Sequence, residues 1–227
     1  MSEICVQISD MVQASDLKTR ILDRIGSGAP RGVWTAADFL DLGTRDAVDK
    51  VLQRLAATET LRRIDRGLYD QPTVNSLTQK NNPPDPRQVI DAIARRDQIR
   101  VLVDGMTAAN DLGLTNAVPA KIVVHTDSRL KTIHLGNLDI TFRPTAASKL
   151  YWAGRPAMRV VQALHWLRDT MTDAEEAQTL RRKLGSILRR DPDGDQLRAD
   201  LRDGLSALPA WMQEYLQPIL SRERSTA

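Results

Sequence analysis

Six cationic side chains at helical and hairpin spacing are the strongest chemical signal in this sequence. Residues 44–66 hold six basic and four acidic side chains, and Arg45, Lys50 and Arg54 follow one another at intervals of five and four residues. Guanidinium and ammonium groups bind phosphate oxygens, and arginine also pairs with the edge of guanine. The basic excess is small. Recognition of an anionic polymer must therefore depend on where these charges are placed.

The residue types suggest separate roles in contacting double-stranded DNA. Arg45 is our candidate for reading bases, with Asp46 and Asp49 as acceptors or orienters of its guanidinium. Lys50 and Arg54 suit phosphate oxygens. The full set of candidate DNA-binding residues is Thr35, Thr44, Arg45, Asp49, Lys50, Gln53, Arg54, Arg62, Arg63 and Arg66.

Apolar spacing and capping residues predict the elements that position these side chains. We expect, in order, a helix over 16–25, a short strand over 32–34, a helix that starts after Thr35, a turn at Gly43 and a helix from Thr44 to about Thr58. Thr35 and Thr44 are the expected N-caps, and the free amides at such helix starts bind phosphate oxygens. The last helix carries an apolar stripe, which we expect to be buried: Ala47, Val48, Val51, Leu52 and Leu55.

A β-hairpin is predicted directly after this helix. Strand-like segments at 61–64 and 68–69 flank Asp65-Arg66-Gly67, where glycine supplies the positive φ of the turn. Arg66 at the tip would enter the minor groove or bind a phosphate. Helix, strand, helix, tight turn, helix and hairpin together predict a winged helix–turn–helix, whose third helix enters the major groove.

Composition along the chain predicts the domain organisation. We expect an N-terminal tail over 1–15, a winged helix–turn–helix domain over 16–72, a linker over 73–86 that is rich in Asn and Pro, and a C-terminal domain over 87–227. The C-terminal domain combines a small α/β unit with a helical region, so the predicted fold class is α+β. Its predicted helices span 87–96, 105–112, 146–168, 173–190, 195–206 and 209–221.

Composition also restricts the class of protein. The 227 residues include 32 Lys and Arg against 29 Asp and Glu, a net charge of +3. The single cysteine, Cys5, has no intramolecular disulfide partner, which suits a reducing compartment. No apolar stretch approaches the roughly 20 residues that a membrane helix needs, and no export signal is visible. We therefore expect a cytoplasmic globular protein that makes no membrane contact.

The patterns required for catalysis or metal binding are incomplete. A nuclease motif tested on Asp104 and Lys121 fails, because Pro119 stands where an acid is needed. Residues 191–195 begin like a calcium loop, but Gln196 and Arg202 stand where Gly and Glu are expected. The three histidines are scattered, and there is no glycine-rich phosphate loop that ends in lysine. We expect no enzyme activity, metal or cofactor.

The segment Leu61-Arg-Arg-Ile-Asp-Arg-Gly-Leu-Tyr69 resembles part of the N-terminal winged helix of the AbiEi family, the antitoxins of type IV toxin–antitoxin (abortive infection) systems. Residues 119–126 and 133–142 resemble the middle segment of a related subgroup, so the resemblance covers about 17–145. It implies a DNA-binding antitoxin that represses its own operon through inverted repeats, beside a gene for a nucleotidyltransferase-like toxin. The implied DNA contacts fall on Thr44, Arg45, Lys50, Arg54 and the hairpin arginines. Direct contact between antitoxin and toxin stays open.

A second interpretation belongs to a different class of protein. In it the chain is a protein-interaction module, whose C-terminal region binds a toxin or another partner while the winged helix only assembles the complex. A basic cluster within 181–190 would then meet an acidic partner, or would add nonspecific phosphate contact to a DNA-binding protein.

Overall fold

The computed structural model describes residues 16–27, 32–117, 119–171 and 173–221, without the side chain of Ser148. Within these residues the chain has a mixed α+β fold with eight α-helices and two small sheets, which confirms the predicted fold class. The predicted tail over 1–15 lies outside the described residues. The chain divides into two compact units, the first running to Ile99 and including Ile133–Asn137, and the second formed by Arg100–Thr132 and the residues from Leu138.

The first unit contains the predicted sequence of helices and strands. Its elements are α1 (residues 16–27), β1 (Val33–Trp34), a 3-10 helix (Ala36–Phe39), α2 (Arg45–Ala57), β2 (Arg62–Asp65), β3 (Leu68–Asp70) and α3 (Pro86–Asp97). Strand β3 lies in the middle of a three-stranded sheet and pairs antiparallel with both β1 and β2.

A single hydrophobic core joins α1, the 3-10 helix, α2 and this sheet. Burying a large aliphatic side chain contributes about 2 kcal/mol, so this core fixes the orientation of α2. The buried members of the core are Leu17, Ile21, Ile25, Ala36, Phe39, Val48, Val51, Leu52, Leu55, Leu61 and Tyr69.

The helix predicted after Thr35 is a four-residue 3-10 helix. The Asp38 carboxylate accepts hydrogen bonds from the backbone amide (2.7 Å) and the hydroxyl (3.0 Å) of Thr35. The Leu42 amide then donates to the carbonyl of Phe39 (2.9 Å), which closes a tight turn. Few residues separate Thr35 from Gly43, and a short 3-10 helix fits in this space before α2 begins.

The segment predicted to be an irregular linker is folded back on itself. Val74 and Asn81 form an isolated antiparallel bridge. The side-chain carbonyl of Asn75 accepts hydrogen bonds from the amides of Leu77 (2.9 Å) and Thr78 (3.0 Å). The Asn-rich composition that suggested a linker therefore supplies acceptors that close a turn.

Helix α3 lies in the first compact unit, whereas the sequence analysis placed it in the C-terminal domain. Arg95 donates a hydrogen bond to the carbonyl of Val33 (3.1 Å), and Arg96 donates one to the carbonyl of Arg66 (2.6 Å). These bonds connect α3 to β1 and to the β2–β3 hairpin. The predicted domain boundaries, 16–72 and 87–227, remain predictions.

The second unit builds its sheet around β5. This unit contains β4 (Val101–Val103), α4 (Gly105–Asp111), β5 (Lys121–Thr126), β7 (Leu138–Pro144), α5 (Met158–Leu167), α6 (Ala174–Arg190), α7 (Gly194–Asp203) and α8 (Ala210–Ser221), while β6 (Ile133–Leu135) is grouped with the first unit. Strand β5 pairs antiparallel with β4 and parallel with β7. No helix in the described part of the chain is both long and apolar enough to cross a bilayer.

The helix predicted over 146–168 is wrong in its first half. A 3-10 helix occupies Ala147–Lys149, and α5 begins only at Met158. Between them Gly154 has a φ of 73°, which an α-helix does not accommodate. The helices predicted over 173–190, 195–206 and 209–221 are present as α6, α7 and α8.

Candidate nucleic-acid interface

Helix α2 buries four of the five residues of the predicted aliphatic stripe, with Ala47 half-buried, and exposes its opposite side. Val48 and Leu52 have no solvent-accessible surface. At about 100° per residue, Asp46, Lys50 and Gln53 lie near the centre of the opposite side, and all three are exposed. We define the outer face of α2 as the predicted residues on this side and its flanks together with the exposed residues at the N-terminal end of the helix: Thr44, Arg45, Asp49, Lys50, Gln53 and Arg54.

The N-terminus of α2 is exposed and capped as predicted. The Thr44 hydroxyl accepts a hydrogen bond from the amide of Ala47 (3.4 Å), and the Thr44 carbonyl accepts one from the amide of Val48 (3.0 Å). The first turn of a 13-residue helix carries a partial positive charge, which favours an anion at this end.

Arg45 and Asp49 pair along the outer face of α2. Nε of Arg45 lies 2.9 Å from Oδ2 of Asp49, one helical turn away, and the Arg45 side chain is 61% exposed. The predicted role of Asp49 as an orienter of Arg45 fits this geometry. Lys50, Gln53 and Arg54 are exposed on the same face.

An ion pair that the sequence analysis missed holds the turn before α2. Arg24 of α1 donates two hydrogen bonds to the Asp41 carboxylate (2.6 and 2.7 Å) and one to the carbonyl of Asp38 (2.9 Å). The hydrogen bonds from Arg24 lower the pKa of Asp41 below its ordinary value. At Gly43, a Cβ would stand 3.1 Å from a methyl group of Leu17, so the turn packs closely on α1.

The β2–β3 hairpin presents two of its three predicted arginines to solvent. Gly67 has a φ of 69°, as the turn requires, and the strands pair antiparallel with a register shift between Arg63 and Asp65. Arg63 and Arg66 are exposed. They remain candidates for contacting DNA.

Arg62, in contrast, is used inside the protein. Its guanidinium donates to both carboxylate oxygens of Asp70 (2.9 and 2.5 Å) and to the carbonyl of Asn82 (2.8 Å). Asp70 is only 6% exposed. We therefore remove Arg62 from the candidate DNA contacts, because its donors hold the hairpin to the segment that follows it.

Thr35 is also removed from the candidate set. It is only 1% exposed, and both its amide and its hydroxyl are bound to the Asp38 carboxylate. No phosphate reaches these groups without opening the 3-10 helix. Burial of Thr35 therefore argues against a phosphate contact there, whereas its predicted position as a cap agrees with the structure.

The basic cluster in the second unit divides into packed and exposed members. The Arg181 guanidinium lies 4.9 Å from the ring centroid of Tyr215, and burial raises the pKa of that tyrosine to about 12. The exposed basic members on α6 are Arg182, Lys183, Arg189 and Arg190. Within the described residues, no three His, Cys, Asp or Glu side chains are grouped so as to hold a metal ion.

The family assignment rests on most of the chain. No match to this chain is found among curated proteins. One family model, described as a family of unknown function, matches residues 20–193. The match begins inside α1, includes α2 and the β2–β3 hairpin, and ends just before α7. The chain belongs to the DUF6088 family, whose function is unknown.

Proposed function

We propose that the chain is a DNA-binding antitoxin that represses its own type IV toxin–antitoxin operon and counters a nucleotidyltransferase-like toxin. In this proposal α1, the 3-10 helix and α2 are a helix–turn–helix, and the β2–β3 hairpin is its wing. The observation that carries the proposal is the division of α2 into a side with four buried aliphatic residues and an exposed outer face with three cationic side chains.

The dimensions of α2 suit the major groove of DNA. A helix with its side chains is about 10–12 Å across, and the groove is about 12 Å wide. Lys50 and Arg54 lie one turn apart and are exposed, so both can neutralise phosphates along one groove edge. Arg45 lies at the N-terminal end of α2, which is nearest the base edges in this type of docking.

Of the acidic residues on α2, Asp49 contributes to selectivity in this proposal, whereas Asp46 weakens binding to all DNA alike. Asp49 holds the Arg45 guanidinium in one direction, and Asp46 adds a negative charge beside it. Carboxylates near phosphates weaken binding to arbitrary DNA. A base pair with two adjacent acceptors for the Arg45 guanidinium compensates for this loss of binding free energy. DNA that carries such a base pair at the contacted position is therefore favoured.

The antitoxin role extends the resemblance described above. A repressor with one reading helix recognises inverted half-sites either as independent monomers or as a dimer. We expect the protein in the cytoplasm, without enzymatic activity of its own. The proposal requires that the neighbouring reading frame encode a nucleotidyltransferase.

A direct binding experiment tests the DNA-binding part of the proposal. A labelled duplex from upstream of the chain's own coding sequence is compared with a scrambled duplex of equal length by fluorescence anisotropy. Replacing Lys50 and Arg54 by Ala together should weaken binding to the upstream duplex by at least about tenfold, since each phosphate contact contributes. The matched control replaces Arg182 and Lys183 on α6, which removes the same charge and should have a much smaller effect. Equal affinity of the wild type for both duplexes would reject the proposal.

The interaction-module interpretation is favoured by one observation, the mixed charge of the outer face of α2. Arg45 is already paired with Asp49, and Asp46 is exposed nearby. A protein partner accommodates such a face as well as DNA does. If this interpretation holds, the Lys50→Ala/Arg54→Ala variant loses partner assembly while the wild type shows no preference for the upstream duplex.

A further inference from the structure

All three guanidinium nitrogens of Arg96, on helix α3, donate hydrogen bonds within the first unit, and one of these bonds reaches the β2–β3 hairpin. Nε and one terminal nitrogen of Arg96 donate to the two carboxylate oxygens of Asp97 (2.8 and 2.7 Å), and the other terminal nitrogen donates to the Arg66 carbonyl (2.6 Å). The hydrogen bond to Asp97 raises the pKa of Arg96 above its ordinary value. The side chain is 23% exposed, so water competes only partly for these bonds.

The hairpin tip needs such an external support. Strand β1 pairs with β3 at Tyr69 and Asp70, away from the tip, so the end of the hairpin nearest the tip is held in the sheet by the short strands β2 and β3 alone. Pairing between two such short strands is marginally stable without further contacts. The register of the hairpin shifts near the tip, and its turn contains a glycine at positive φ. The carbonyl that Arg96 holds belongs to Arg66, the residue whose exposed side chain forms the tip. A Cβ on Gly67 would lie 3.8 Å from Cδ of Arg96, so the arginine stem also covers the turn.

The neighbouring arginine connects α3 to the segment that precedes α2. Arg95 donates to the carbonyl of Val33 in β1, and its Nε lies 3.6 Å from a carboxylate oxygen of Asp38 in the 3-10 helix. Asp38 is the residue that also caps the 3-10 helix through Thr35. The last turn of α3 therefore contacts both structures that carry candidate DNA-binding residues, the hairpin directly and α2 through the turn in front of it.

We propose that Arg96 is a positioning residue for DNA recognition, which fixes the backbone of Arg66 so that the Arg66 guanidinium meets the duplex at one place. The inference rests on the proposed DNA-binding function. Arg96 itself does not touch DNA. Arg96 restricts the hairpin tip before DNA binds, so the tip loses less conformational entropy on binding. This preorganisation increases the affinity for DNA.

A double-mutant cycle tests this role. Arg96→Ala, Arg66→Ala and the double variant are titrated with the upstream and scrambled duplexes, and their thermal unfolding midpoints are measured alongside. Arg96→Ala should weaken binding to the upstream duplex about five- to tenfold in the wild-type background and have almost no effect when Arg66 is already Ala. A purely structural role of Arg96 would give the same loss in both backgrounds.

If the Arg96→Ala variant does not fold, the same double-mutant cycle is carried out with Arg96→Lys. Lysine keeps the charge and can bond the Arg66 carbonyl, but it cannot also form the two-pronged bond to Asp97. We expect a smaller loss, about threefold, that again disappears without the Arg66 side chain. Equal losses in both backgrounds, or none in the wild-type background, would overturn the role of Arg96. Failure of the wild type to prefer the upstream duplex would instead reject the proposed function.

Discussion

At the scale of single residues, Arg62 and Asp70 form a two-pronged ion pair between neighbouring strands. Arg62→Ala would leave the Asp70 carboxylate, 6% exposed, without its cationic partner. We expect the free energy of unfolding to fall by about 2–3 kcal/mol, somewhat less than for a fully buried pair because Arg62 is 29% exposed. Urea unfolding followed by circular dichroism measures this change.

The Arg62→Ala/Asp70→Asn double variant is the control for this prediction. Since it leaves no buried charge without a partner, it should be more stable than Arg62→Ala alone. DNA affinity of the folded Arg62→Ala protein should stay within about twofold of wild type. Unchanged stability together with weakened DNA binding would return Arg62 to the interface.

Asp49 offers a second prediction at this scale. Asp49→Asn removes a negative charge from the outer face of α2 and frees Arg45 from its 2.9 Å ion pair. Binding to the scrambled duplex should become about two- to fivefold tighter, because one repulsion between carboxylate and phosphate is lost. Binding to the upstream duplex should improve less, so the preference between the two duplexes falls.

Asp46→Asn is the matched variant for Asp49→Asn. It removes the same charge from an exposed position one turn earlier on the same helix. The prediction gives Asp46 no role in orienting Arg45. The Asp46→Asn protein should therefore bind the upstream and the scrambled duplex more tightly by the same factor. Weaker binding of Asp49→Asn to both duplexes would contradict the role given to the Arg45–Asp49 pair.

At the scale of secondary-structure elements, the turn of the β2–β3 hairpin depends on a left-handed backbone conformation. Gly67 has a φ of 69°, and a Cβ there meets only Cδ of Arg96 at 3.8 Å, an ordinary contact. Gly67→Ala should therefore cost about 1–2 kcal/mol of stability for conformational reasons. It should also weaken binding to the upstream duplex, because the Arg66 tip is displaced.

Gly113→Ala provides the comparison, since Gly113 of the second unit has a φ of 65° and a Cβ added there would meet no atom within 4 Å. Both substitutions should lower the thermal unfolding midpoint through the same conformational strain. Only Gly67→Ala should lower DNA affinity. Equal DNA affinities of the two variants would show that the hairpin tip is not part of the interface.

Local signals predicted the elements of the candidate interface, whereas its long-range contacts were not predicted. The aliphatic stripe of α2, the Thr44 cap and the Gly67 turn each depend on neighbouring residues, so spacing alone identifies them. The Arg24–Asp41 pair and the bond from Arg96 to the Arg66 carbonyl join residues far apart in the chain. No periodicity signals such contacts before the fold is known.

Arg62 in the hairpin also shows that the sequence alone does not predict a long-range contact. Strand alternation indicates that Arg62 and Arg63 face opposite sides, but not which side carries an acidic partner. That depends on the pairing register, in which Arg62 stands opposite Asp70. The sequence therefore made all three hairpin arginines candidates, and the structure leaves two of them exposed.

At the scale of the whole molecule, the proposed function predicts that repression and toxin neutralisation can be separated by substitutions in the chain. The Lys50→Ala/Arg54→Ala variant should lose repression of a reporter that carries the upstream region, because α2 no longer neutralises phosphates. It should still protect growing cells when the nucleotidyltransferase that the proposal expects in the neighbouring reading frame is expressed. Growth curves and reporter activity measure the two properties in one strain.

The Arg182→Ala/Lys183→Ala variant is the complementary control for this separation. It leaves α2 and the hairpin unchanged and should repress like the wild type. If the folded Lys50→Ala/Arg54→Ala variant failed both to repress and to protect, the two activities would share one surface. The interaction-module interpretation would then be favoured.

The salt dependence of DNA binding is the most direct test of the claim that the outer face of α2 neutralises backbone phosphates. We predict that wild-type protein binds the upstream duplex more tightly than the scrambled one and that its affinity falls steeply with salt. Replacing Lys50 and Arg54 by Ala should reduce the slope of log K against log salt by about 2, close to one for each lost phosphate contact. A slope that the two substitutions leave unchanged, or equal wild-type affinity for both duplexes, would contradict the account.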